Sequence, residues 1–456
     1  MKILCREGAT RGRLAVLALL IGAGIAIAAT GGTAQRSAAQ HVMTPDTLRA
    51  PNIKQEIQQV AAPTGTVRFS CQLTTPAGCY GPDQLRAAYG TQTLLDKGYN
   101  GSGRTVAIID AYGSPTLASD VALFDSVWAQ PAANVTTTAP FGIDSTTPEN
   151  ADGWAGETTL DVEWAHAIAP GANIALVIAK SNNDADILDA TQYAIDHNVG
   201  DVISQSFGEA EQCMATSDLA RQHQLFRTAV QKGITLFASS GDQGAAQPNC
   251  DGSNGYFKSV STPASDPNVT GVGGTTLHAD GVSGAYQSES TWNESALFGD
   301  AVAGGGGQSV LFHKPLYQLL AARGSSVREV PDVSYNAAVY NGVIVAYQGS
   351  FYRFGGTSAG SPQWAAIASI VDQIAGRRSG NINPALYVLS LLPGKLNPFH
   401  DIADGSTNSV PNTDGSTITG YAATRGYDMA TGLGSPNIGA IAPLIAHQPA
   451  VTTPTN

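Results

Sequence analysis

The sequence predicts an α/β fold, a doubly wound and mainly parallel sheet with helices on both faces. Three observations carry that prediction. Short apolar runs rich in β-branched residues recur along the chain, and helix-like stretches lie between them. The composition, 43% hydrophobic and only 13% charged with 51 glycines, suits a well-buried globular protein with many tight turns.

Residues 1–29 are set apart from the fold. Lys2, Arg6, Arg11 and Arg13 precede an uncharged run from Leu14 to Ala29, followed by small residues, which is the layout of a secretory signal. The run is shorter than the ~20 residues of a membrane span, and no other segment is apolar enough to cross. A secreted, extracellular protein without stable membrane association is expected. Residues 30–66 are polar, with little periodicity, and read as a linker or short pro-segment.

The folded domain is expected over 67–446. Its strands are Val106-Ala107-Ile108-Ile109, Ile174 to Ile178, Val202-Ile203-Ser204 and Ile234-Thr235-Leu236-Phe237; its helices lie around Glu157–Ile168, Asp184–His197 and Ser217–Lys232. From about Gly271 to Tyr347 strands are shorter and glycines frequent. The Pro- and Thr-rich residues 447–456 are expected to form a flexible tail. Once the signal is removed Cys5 goes with it, leaving Cys71, Cys79, Cys213 and Cys250. Two disulfides are expected, with Cys71–Cys79 and Cys213–Cys250 the simplest of the three pairings.

A net charge of -12 spread over few charges argues against nucleic acid as a partner and permits work in acid. In a doubly wound sheet, ligands gather beyond the carboxyl ends of the strands, where Asp110, Ser206-Phe207-Gly208 and Ser240-Gly241-Asp242 fall. The segment Gly355-Gly356-Thr357-Ser358-Ala359-Gly360-Ser361-Pro362 places a serine on a glycine turn before an apolar helix, where backbone N–H groups face developing negative charge. A serine nucleophile needs a base, a partner that orients the base, and an oxyanion donor. Glu157 and Asp161 are four apart and share a helical face, and Asp242 stands on a glycine turn; these three could fill the roles. A protonated Asp242 can donate to an oxyanion, so the arrangement favours acid. Of the histidines, His166 reads as packed, and His197, His223, His278 and His313 have no catalytic surroundings. Asp401-Ile402 and Thr424 to Asp428 offer a second set of groups, two carboxylates and a glycine loop whose carbonyls can turn inward, suited to Ca²⁺.

These stretches together resemble the sedolisin family of serine-carboxyl peptidases, which have a subtilisin-like fold. The matching pieces are Gly156-Glu157-x-x-Leu160-Asp161, Ser240-Gly241-Asp242-x-Gly244, Gly356 to Pro362, Arg328 with Pro331-Asp332-Val333-Ser334, and Gly426-Tyr427-Asp428-x-x-Thr431-Gly432-Leu433-Gly434. The likeness is colinear from about Cys79 to Pro443. It implies that Ser358 is the nucleophile, Glu157 the general base, Asp161 its orienting partner and Asp242 the oxyanion stabiliser. One structural Ca²⁺ is implied on the side chains of Asp401 and Asp428 and the carbonyls of Ile402, Thr424 and Gly426. Ser206, Phe207 and Gly208 resemble the strand along which the family aligns extended protein or peptide substrate. The family's large pro-domain has no counterpart in residues 30–66, and nothing in the sequence demands more than a monomer.

Three other readings compete. Gly356-x-Ser358-x-Gly360 also fits the nucleophile elbow of lipases and esterases, with Asp372 or Asp404 and His447 as partners, but this leaves Glu157, Asp161 and Asp242 unexplained. A subtilisin-type Ser-His-Asp peptidase would place its acid at Asp110, yet Glu157 stands where its histidine is expected. A non-catalytic binding protein should have lost an active-site residue, and none is missing.

Overall fold

The computed structural model describes residues 43–45, 48–49, 68–145, 148–322 and 324–456. The expected signal at 1–29 and most of the expected linker at 30–66 lie outside the described residues. Two short strands, β1 (Thr44–Pro45) and β2 (Leu48–Arg49), come first, so part of the expected linker is paired backbone. They are followed by β3 (Cys79–Tyr80), β4 (Thr105–Ala111), α1 (Leu117–Trp128), β5 (Asn134–Thr138), α2 (Pro148–Ile168), β6 (Asn173–Ala179) and α3 (Asp184–Asp196). Next come β7 (Val202–Gln205), β8 (Phe207–Ala210), α4 (Thr216–Gln231), β9 (Thr235–Ser239), β10 (Thr270–Ala279) and β11 (Tyr286–Thr291). The chain then builds β12 (Val333–Asn336), β13 (Gly342–Tyr347), β14 (Ser350–Gly355), α5 (Gly360–Ala375) and α6 (Ile438–Ala446), with shorter elements between.

The main sheet has the order β11-β10-β9-β7-β4-β6-β5, with β12 also paired to β10. Every pairing in it is parallel except β10 with β11. Strand β4 shows why its sequence is apolar throughout. Val106 and Ile108 enter one core, with Trp164 of α2 and Ile367 of α5, whereas Ala107 and Ile109 enter the other, with Ile187 of α3 and Phe226 of α4. Alternate side chains of one strand thus serve two helical layers, as the doubly wound reading requires.

A second sheet, β2-β14-β13-β3, and a third, β1-β8 with Ser261–Thr262, lie beside the main one. Disulfides join Cys71 to Cys79 and Cys213 to Cys250, the simplest pairing read from the sequence.

Two local expectations differ from the structure. Helix α2 starts at Pro148, so Glu157 lies inside the helix and not at its mouth. Proline suits a first helical position, and Gly156 lies within the helix, facing the Phe354 ring. The expected flexible tail is tied to the body: Val451 N–H donates to Ser379 O, Asn381 N–H to Val451 O, and Thr455 N–H to the Asn268 side chain.

Candidate active site

Strand β14 ends at Gly355, and Gly356 follows with φ 106°, a left-handed value that a side chain disfavours. Thr357–Ala359 form a single 3-10 turn, and α5 starts at Gly360. A Cβ on Gly360 would come within 2.8 Å of Val272 Cγ1, so glycine lets the helix sit directly on the sheet. Ser358 is completely buried on this turn, and its hydroxyl donates to the Ser206 carbonyl at 3.2 Å.

Asp242 comes to the same turn from the loop after β9. Its Oδ1 accepts from the Thr357 amide at 2.7 Å and from the Thr357 hydroxyl at 2.9 Å, while that hydroxyl accepts from the Gly241 amide at 3.1 Å. Gly241 has φ 103°. Behind it Gly305 approaches so closely that a Cβ there would lie 2.0 Å from Ser240 O. Close backbone packing therefore fixes the carboxyl one residue from Ser358.

Helix α2 packs against the 357–359 turn and against α5. Trp154, one turn before Glu157, lies beside Phe207 of β8, with ring centroids 5.8 Å apart. Glu157 and Asp161 are both buried. Burial pushes the Asp161 carboxyl up to about 8, against the opposing pull of the Ser206 and Glu157 side chains. At the end of β4, Asp110 is also buried and is held well above the usual carboxylate range, first by desolvation and then by the nearby Asp161, with Thr158 pulling the other way. Asp161, hydrogen-bonded by the Glu157 side chain, and Asp110 thus belong to one dry carboxyl cluster.

The structure brings Ser358, Asp242, Glu157, Asp161 and the Ser206-Phe207-Gly208 strand into one neighbourhood. The Ser358 hydroxyl points at the Ser206 carbonyl. Asp110, which the sequence placed with these loops at the strand ends, joins the carboxyl cluster, a role the sequence did not assign to it. Among the described residues no histidine bonds to Ser358. The His166 ring lies 2.8 Å from Pro131 O and 3.3 Å from Asp125, and His447 caps α6, 2.5 Å from Pro443 O.

Asp401 and Asp428 each accept hydrogen bonds from the 424–431 segment. Both Asp401 oxygens accept from the Gly426 amide at 3.1 Å, and Asp428 Oδ2 accepts from the Thr424 amide at 2.9 Å. Asp428 Oδ1 accepts from the amides of Ala430 and Thr431 at 2.9 and 2.8 Å. Among the described residues no three His, Cys, Asp or Glu side chains gather as a metal cluster. A site here would combine two carboxylates with carbonyls, and both carboxylates do converge on the 424–428 loop, which fits an oxygen-liganded cation.

The subtilase family model matches residues 148–380. Kumamolisin of Bacillus sp. (strain MN-32) is 34% identical over 366 residues, covering 78% of this chain and 62% of the relative. Sedolisin of Pseudomonas sp. (strain 101) is 32% identical over 345 residues, covering 73% of this chain and 56% of the relative. The chain therefore spans between one half and two thirds of the length of these relatives. Among solved structures, Pseudomonas sedolisin, a serine-carboxyl proteinase complexed with two molecules of pseudo-iodotyrostatin, matches with a TM-score of 0.70 and 29% identity. That match covers 80% of this chain and 96% of the other.

Proposed function

Because the chain belongs to the subtilase family, and within it to the sedolisins, we propose that it is a secreted serine-carboxyl endopeptidase. It hydrolyses proteins and peptides in acid through an acyl-enzyme on Ser358. The observation that supports this most is the Asp242 carboxyl bound to Thr357, beside Ser358, with the carboxyl-bearing helix α2 packed on the same turn.

In this reading the Ser358 hydroxyl turns from the Ser206 carbonyl to Glu157, a rotation about one side-chain bond. Glu157 takes its proton as the oxygen attacks the peptide carbonyl, then delivers it to the leaving amine. The Glu157 side chain hydrogen-bonds the buried Asp161 carboxyl, so Asp161 holds Glu157 in place and shares a proton with it. Asp242 donates to the oxyanion when it carries a proton and repels it when it does not, which ties activity to acid. Substrate lies extended along Ser206, Phe207 and Gly208.

One Ca²⁺ is assigned to Asp401, Asp428 and the carbonyls of Ile402, Thr424 and Gly426. It would neutralise the two carboxylates and brace the loop. The layout of residues 1–29 supports secretion, and among the described residues no helix is long and apolar enough to cross a membrane.

The test is a pH profile on a denatured protein substrate for the wild type and for Glu157→Gln. An acid optimum that disappears with the Gln variant, at unchanged far-UV circular dichroism, is expected. Near-normal turnover by that variant, or an optimum above neutrality, defeats the assignment of the base.

A further inference from the structure

Two short stretches of this chain are packed the wrong way round for a surface that faces water. One is the 3-10 turn Leu316–Gln318 with the residues just after it; the other is the helix Asn383–Leu389 with the turn Gly394–Leu396. Their polar groups point inward. Tyr317 lies against Tyr387 with ring centroids 5.2 Å apart, and its hydroxyl donates to Pro267 O at 2.8 Å. Gln318 is fully buried, and its amide donates to the Tyr387 hydroxyl oxygen at 2.7 Å and to Glu329 O at 2.8 Å.

The aliphatic side chains point outward. Leu316, Leu319 and Leu320 stand at helical spacing on one face of the first stretch, and the Leu319 amide donates to Leu316 O. Val388 and Leu391 repeat that spacing on the second, where the Leu391 amide donates to Val388 O, and Leu396 follows. These six run from 50% exposed at Leu391 to 83% exposed at Leu316. The ring contact joins Tyr317, next to Leu316, with Tyr387, next to Val388, so the two stretches are neighbours. A lone exposed leucine is ordinary; six aliphatics on adjoining turns make an apolar patch, the mark of an interaction surface.

Charge says what the patch meets. The chain has 36 acids and a net charge of -12, yet no Asp or Glu occurs in residues 301–328 or 373–400, the segments that carry the patch. Three of their cations are spent on ion pairs, Lys314 with Glu329, Arg328 with Asp332 and Arg378 with Asp201. Lys395 differs: it is exposed beside Leu396 and has no ion pair among the described residues. Protruding leucines with a lysine among them and no carboxylate suit the interface of an anionic bilayer, where alkyl groups reach below the headgroups and the ammonium stays among the phosphates. Acids elsewhere on the chain are largely screened, because charge is felt over only ~10 Å at about 0.1 M salt.

We propose that this patch docks the protein, peripherally and reversibly, on an anionic lipid surface. The contact uses no residue of the candidate active site and goes beyond the peptidase reading, giving that activity a place to work.

The test is co-sedimentation of the full chain with vesicles of phosphatidylglycerol and, separately, of phosphatidylcholine. Any contribution of residues 1–29 is common to all variants. Wild type should bind phosphatidylglycerol ~5-fold or more above phosphatidylcholine, as one lysine at the surface warrants. Leu316→Ser/Leu320→Ser should lower binding ~10-fold or more by removing the buried alkyl groups, and Lys395→Glu should abolish the preference for the anionic lipid. Both variants should keep the wild-type melting temperature and far-UV circular dichroism. Wild type that stays in the supernatant with phosphatidylglycerol, or a leucine variant that binds as wild type does, overturns the inference. So does light scattering that finds a wild-type dimer which the leucine variant cannot form, since a second copy then covers the patch.

Discussion

Two regions use the same side chain, aspartate, to opposite ends. Around Ser358 the carboxyls of Asp161 and Asp110 are buried with few donors, and burial dominates; Asp161 is pushed up to about 8. In the 401–428 region Asp428 is nearly as buried, yet amides of Thr424, Ala430 and Thr431 point at it, and it rises only to about 6. Desolvation is common to both, and backbone N–H groups make the difference. A carboxyl without amides holds a proton and can serve in proton transfer. One wrapped in amides organises a loop.

The largest effect that could break this contrast concerns Asp242. Asp242→Ala removes the acceptor for Thr357 and the donor proposed for the oxyanion, so kcat should fall by ~10²–10³ with little change in KM. A kcat within tenfold of the wild type would remove Asp242 from the chemistry. Next is Asp428→Ala in chelator-treated protein. It leaves the amides of Ala430 and Thr431 without their acceptor and should cost ~1–3 kcal/mol in urea unfolding. If the loss is seen only with Ca²⁺ present, the amides do not matter and the ion alone holds the loop.

A third effect sharpens the comparison through pH. Asp161 has a folded pKa near 8, above an unfolded value of ~3.9, so between those values the folded state binds the extra proton. Its contribution to stability is complete below about pH 4 and is lost as pH rises toward 8, at up to ~1.4 kcal/mol per pH unit. Melting temperature should therefore decline from pH 4 to pH 7, and Asp161→Asn should flatten the decline. A melting temperature that climbs over that range would show that amide-wrapped carboxylates outweigh the dry ones.

Much of the architecture was legible because it rests on local pattern. The uninterrupted apolar runs of β4 and β6 announce strands covered on both faces, and the glycines at 356 and 360 announce a turn that needs room and a positive φ. Ser358, Asp242 and the Glu157–Asp161 pair could be read from motifs of this kind. The place of Asp110 at a strand end could be read too, but not its pairing with Asp161, because a carboxyl ending a strand looks the same whether it faces water or another buried acid. The true start of α2 was hidden by Gly156, whose place beside Phe354 depends on a strand about two hundred residues away. The pairing of β1 and β2 was equally invisible: a polar stretch gives no sign of the edges it will join.

Helix α6, near the very end of the chain, packs against α5, the helix that follows Ser358. During synthesis the segment of Ser358 therefore leaves the ribosome some eighty residues before α5 receives that neighbour. The order of synthesis, in which α5 emerges before α6, thus sets when α5 becomes fully packed.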